Sequence, residues 1–152
     1  MNLKIRILLI EIISALFILL FVYAALTKVI DYRKFRIELG KSPLLNSYAG
    51  TITFAIPGIE LLISLFIAIK RFQYYALYFA FSLMAVFSTY ILAILKFSPY
   101  VPCSCGGILQ NMTWNGHLIF NLGFVLLGVI AILIYPSKYK ELIRDKKESL
   151  HP

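Results

Sequence analysis

Long stretches without an ionised side chain constrain this chain more than anything else in it. No Asp, Glu, Lys or Arg occurs between Phe72 and Leu95. None occurs between Phe97 and Ser137 either, where His117 is the one residue able to carry positive charge. A soluble domain places charge at about a quarter of its positions, whereas 14% of this chain is charged. A helix needs about 20 apolar residues to cross the hydrocarbon of a bilayer. Four runs meet that requirement, at about 7–26, 48–69, 73–95 and 116–135. Lipid offers the backbone no hydrogen-bond partner, so each run must satisfy its own amides as a helix. The alternating polarity of barrel strands is missing. The sequence therefore predicts an all-α membrane fold, a four-transmembrane-helix bundle forming one domain over residues 1–152, with a short polar tail at 137–152.

Orientation follows from the basic residues. Lys4 and Arg6 ahead of the first run suit a signal peptide, but the apolar run is too long and no small-x-small site precedes Thr27, so the run reads as an uncleaved helix. With four spans both termini share a side. The N-terminal stub, the second loop and the tail carry nine Lys and Arg, against six in the first and third loops. The positive-inside rule then places the termini in the cytoplasm of a bacterial inner-membrane protein. Five of the six outside charges, Lys28, Arg33, Lys34, Arg36 and Lys41, crowd the first loop and sit awkwardly with that rule. The net charge of +8 is accounted for by loops and tails that meet lipid headgroups. No nucleic-acid-reading motif accompanies it, so nucleic acid is not an expected partner. Lys70 and Arg71 alone separate the second and third runs, which dictates an antiparallel hairpin.

Cys103 and Cys105 are the only cysteines, one residue apart, preceded by Pro102 and followed by Gly106 and Gly107. They lie in the third loop, on the side of the membrane shared with Lys28 and Asp31. A disulfide between them demands close α-carbons across a single residue, which Pro102 and the two glycines help by bending the backbone. Strain in so small a ring makes such a bond labile, and the loop it closes is too short to act as a structural staple. Redox chemistry is thus one reading of the pair. Soft-metal binding is another, with Met112 or His117 completing a Cu(I) site, since zinc would want more ligands than the chain supplies. Inert thiols are the third. For redox work one sulfur must become a thiolate, and Lys28 or His117 could assist as a nearby cation. Both residues also suit ordinary interfacial roles, Lys28 as a snorkelling anchor and His117 as a hydrogen-bond donor to a loop carbonyl.

Two carboxylates fall inside the runs. Glu60 lies about 18 Å below the start of its helix at 1.5 Å per residue, near the midplane, where it must face the bundle and be paired or protonated. Pro57, one turn earlier, frees a backbone carbonyl that a protonated Glu60 could reach. Proton handling and a helix–helix hydrogen bond are both open to it. Glu11, about 25 Å from Lys28, reads as an interfacial residue. Lys28 and Asp31 can meet if the first helix continues past them. The third run together with Phe72 just before it carries eight aromatic residues, Phe87 among them, on which a flat quinone could stack, although packing explains most of these rings.

Four short spans, Pro57-Gly58-Ile59-Glu60 in the second, the stretch Ala24 to Asp31 closing the first, Cys103-Ser104-Cys105-Gly106-Gly107, and then Trp114 and Asn121 together form a pattern. It resembles the MauE-type branch of the DoxX-like membrane proteins over nearly the whole chain. The family's usual cysteine element is similar to Cys-Gly-Cys-Phe-Gly, so Ser104 and Gly106 depart from it while the thiol pair survives. The resemblance implies a redox-associated membrane protein acting with a thioredoxin-like partner outside the cytoplasm, as in maturation of disulfide-containing proteins such as methylamine dehydrogenase. Cys103 and Cys105 would then exchange thiols and disulfides, supported by Lys28, Asp31, Glu60 and His117, with quinone as the candidate cofactor and no metal. A non-enzymatic scaffold for a maturation complex, or a Cu(I)-binding or transport subunit, are the alternatives.

Overall fold

The computed structural model describes residues 3–41, 46–97 and 114–135. These form five α-helices, α1 (Leu3–Ile30), α2 (Tyr32–Lys41), α3 (Ala49–Ala68), α4 (Gln73–Phe97) and α5 (Trp114–Ile134), with a 3-10 turn at Asn46–Tyr48 leading into α3. Four of them, α1, α3, α4 and α5, are long and apolar enough to span a bilayer, and the chain is a multi-pass four-helix membrane bundle. The tail and the cysteine pair lie outside the described residues.

Three spans match the apolar runs to within two residues. The first is longer than its run at both ends, because the backbone ladder continues through the polar flanks of the apolar core. The expected hairpin is present. α3 ends at Ala68, the Phe72 N–H donates to the Ile69 carbonyl at 2.9 Å, and α4 starts at Gln73. α1 packs chiefly on α3 and α4 chiefly on α5. Phe17 and Phe21 of α1 fill the middle with Ile63, Ile67, Leu77 and Met84. The Phe17 ring meets Phe124 of α5 edge-on at 5.3 Å. At Gly128 the helices approach so closely that an added β-carbon would stand 3.0 Å from the Phe81 β-carbon.

The bundle end that holds the α3–α4 turn is tied by polar contacts among three helices. The buried Gln73 amide donates to Ser14 Oγ at 3.1 Å, and the Tyr135 hydroxyl donates to its Oε1 at 3.5 Å. Lys70 pairs with Glu11 at the surface, the interfacial position expected for Glu11. Buried polar atoms in lipid need partners of this kind.

The opposite end differs from the sequence expectation. The first loop is largely helical. The Asp31 N–H donates to Thr27 O and the Phe35 N–H to Asp31 O, both at 3.0 Å, so the path of α1 passes into α2 without losing its ladder. Phe35 and Leu39, one turn apart, pack on Ala49, Ile52 and Ile56 of α3. Arg33, Lys34, Arg36 and Lys41 face outward. The crowd of basic residues in this loop is therefore the polar face of an amphipathic helix laid over the bundle, and the remaining one, Lys28, is buried beneath it.

Candidate functional site

Side chains on a helix lean toward its N-terminus. α1 and α3 are antiparallel, so Lys28 leans down into the bundle while Glu60 leans up toward it. They meet. Lys28 Nζ donates to Glu60 Oε1 at 2.6 Å, with the two residues 5% and 1% exposed. The Lys28 ammonium also lies 6.0 Å from the Phe35 ring centre and 5.8 Å from that of Phe87. Ring faces attract cations at such distances. An ion so far from water is tolerable when it is paired, hydrogen-bonded and shielded, and this one has a carboxylate and two rings.

The pairing corrects three expectations. Lys28 is not a snorkelling anchor at the headgroups; it turns inward. It pairs with Glu60 and not with Asp31, which is exposed even though the helix continues past it. Nor does Glu60 use the carbonyl freed by Pro57. Its second oxygen, Oε2, is buried and has no hydrogen-bond partner among the described residues. Buried hydroxyls nearby are occupied within their own helices. Thr53 donates to the Ala49 carbonyl, Ser64 to that of Glu60 and Ser88 to that of Met84. None of these three hydroxyls donates to Glu60 Oε2.

A cavity of about 400 Å³ opens beside the pair. α1 contributes Phe21, Ala24 and Lys28, α2 contributes Phe35 and Leu39, and α3 contributes Ile52, Ala55 and Glu60. From α4 come Met84, Phe87 and Tyr90, and from α5 His117 and Asn121. His117 and Asn121 are one turn apart on the same face of α5 and are both buried. His117 and Lys28 line the same cavity. The cavity wall is otherwise almost wholly apolar. Its volume falls in the ordinary range of small-molecule sites, about 300–1,000 Å³.

The structure thus brings together Lys28, Glu60 and His117 and leaves Asp31 at the surface. Cys103 and Cys105 lie outside the described residues, as does Met112. The chain leaves α4 at Phe97 and re-enters at Trp114, so the segment carrying the cysteines starts and finishes at the bundle end where Lys28 sits. Among the described residues no group of three His, Cys, Asp or Glu side chains could hold a metal ion. Phe35 and Phe87 as shields for Lys28 were not foreseen, because the partner of a buried lysine depends on how separate helices are registered. Asn121 had a sequence signal in its spacing of four from His117.

A family model described as "Methylamine utilisation protein MauE" matches residues 6–134. No curated protein and no solved structure matches the chain.

Proposed function

The chain belongs to the methylamine utilisation protein MauE family, and from that premise we propose that it is a membrane thiol–disulfide exchange protein serving a thioredoxin-like partner outside the cytoplasm. The observation that carries the proposal is topological. Both helix ends that flank the Cys103–Cys105 segment, Phe97 and Trp114, lie at the bundle end that holds Lys28, Glu60 and His117. The only two thiols of the chain are tethered at the end where Lys28 is buried.

In the forward direction the thiolate of one cysteine attacks the partner's disulfide. The partner's S–S bond breaks, a mixed disulfide forms, and one partner thiolate leaves. The second cysteine then attacks the mixed disulfide, giving a Cys103–Cys105 disulfide and a partner dithiol. Two electrons and two protons have passed to the partner. The same steps in reverse oxidise it. Thiolate attack needs a deprotonated sulfur. An inner-membrane location with cytoplasmic termini suits this role, because it sets the pair in a compartment where disulfides persist. Maturation of disulfide-containing proteins such as methylamine dehydrogenase is the task the family membership supports.

The test is to trap the partner. Of the two variants Cys103→Ser and Cys105→Ser, the one retaining the attacking sulfur should accumulate a mixed disulfide that reductant dissolves. Replacing both should abolish it and shift the partner's redox state. A double variant that leaves the partner unshifted, with no trapped adduct in either single variant, defeats the proposal. So does labelling of both sulfurs only from the cytosolic side by a membrane-impermeant maleimide.

A further inference from the structure

The cavity beside Lys28 and Glu60 has a composition that selects among ligands. Its charges already match, one ammonium to one carboxylate at 2.6 Å, so an ionic ligand would add an uncompensated charge inside the membrane. An anion would further face the spare carboxylate oxygen of Glu60. The wall is apolar apart from a few groups, so the ligand is mostly apolar. Ile59, 45% exposed on α3, and Val86, 62% exposed on α4, both line the cavity. It therefore reaches the outer surface between α3 and α4, which pack together less extensively than α1 with α3. A molecule dissolved in the bilayer has a sideways way in.

Three further features narrow the class. Glu60 Oε2 is buried without a partner on a residue 1% exposed, which calls for a ligand hydroxyl. Lys28, with two donors beyond the one given to Glu60, and the Asn121 amide can donate to a ligand carbonyl. Phe21, Phe35, Phe87 and Tyr90 line the same space, and aromatic rings suit contact with a flat ring.

We propose that this cavity binds the head ring of a lipid-soluble quinone, with Glu60 Oε2 accepting from a ring hydroxyl in the reduced form and Lys28 donating to a ring carbonyl in the oxidised form. The assignment rests on the thiol-exchange reading only for the use to which the ring is put. In the direction that oxidises the partner, its dithiol reduces a Cys103–Cys105 disulfide, and closing the resulting dithiol again releases two electrons and two protons, the number a quinone takes up on becoming a quinol. Recognition of the ring itself depends on the cavity and not on the sulfurs.

The experiment separates the two. The full chain in lipid nanodiscs is photolabelled with an azidoquinone, competed by decylubiquinone, oleate or dioleoylglycerol, and the label is mapped to peptides. Labelling should saturate, map to α1, α3 and α4, and yield to decylubiquinone at concentrations at least tenfold below those of the other two. Ala55→Phe adds a ring at an exposed position of the cavity wall, and should cut labelling at least tenfold with helix content unchanged. Glu60→Gln should weaken it at least threefold. Replacing both cysteines by serine should leave it unchanged, so binding that survives in this variant stands even if the thiol-exchange reading falls. Equal displacement by oleate, or labelling unmoved by Ala55→Phe, overturns the proposal.

Discussion

Removing one member of the Lys28–Glu60 pair should cost far more than removing both. At 2.6 Å between Nζ and Oε1, and with an effective dielectric of about 20, the Coulomb attraction is about 6 kcal/mol. That is the gross attraction; the net contribution is much smaller, since both ions were desolvated to reach it. Losing one partner of a buried pair typically costs about 3–5 kcal/mol, because the other charge is left uncompensated, whereas replacing both with apolar groups is often neutral. Lys28→Met and Glu60→Leu should each destabilise the bundle by about 3–5 kcal/mol, and the double variant by about 1 kcal/mol or less. The assay is reversible unfolding in mixed micelles of increasing denaturing-detergent fraction, followed by circular dichroism. The coupling is taken from the four proteins of the cycle. Single variants within about 1 kcal/mol of the parent, or a double variant equal to the sum of the singles, would show that the two charges do not sit together, and the account of the site would fail with them.

Other consequences are open to direct measurement. Phe35→Ala removes both the ring beside Lys28 and half of the α2 anchor on α3, so a water-soluble amine-acylating reagent should modify Lys28 faster in this variant than in the parent; equal rates would mean α2 does not cover it. Gly128→Leu places a branched side chain where a β-carbon already meets Phe81 at 3.0 Å, and should cost about 1–3 kcal/mol by overpacking. Gly123→Ala, with nothing within 4 Å of the added carbon, should be neutral or stabilising by up to about 1 kcal/mol, measured in the same unfolding assay. Lys70→Gln breaks the exposed pair with Glu11 and should change stability by about 1 kcal/mol or less.

The spans were legible in the sequence because their signal is local. A predominantly apolar run of 20 residues has few folded alternatives to a helix in lipid, and the short gap at Lys70 and Arg71 leaves only a hairpin. α2 was not legible as a helix for the opposite reason. Its buried face is two residues wide, Phe35 and Leu39, set among basic side chains that make the segment polar on average. The site was half legible. Glu60 had to find a partner or a proton at its depth, and that followed from position alone. That the partner is Lys28 could not be read off, because it depends on the axial register of α1 against α3 and on the opposed lean of two side chains. The expectation for Lys28 drew on the usual behaviour of a lysine at a helix end. α2 makes that position an interior one by lying across it.

α1 is held to its neighbours by a charge contact near each extremity, Glu11 with Lys70 and Lys28 with Glu60. The buried contact resists sliding, and the exposed one adds a little to it. Shifting α1 by a single helical turn, about 5.4 Å, would undo both pins together and carry an unpaired lysine into hydrocarbon. Tilting or parting of helices therefore disturbs the packing of the first helix less than a piston stroke would.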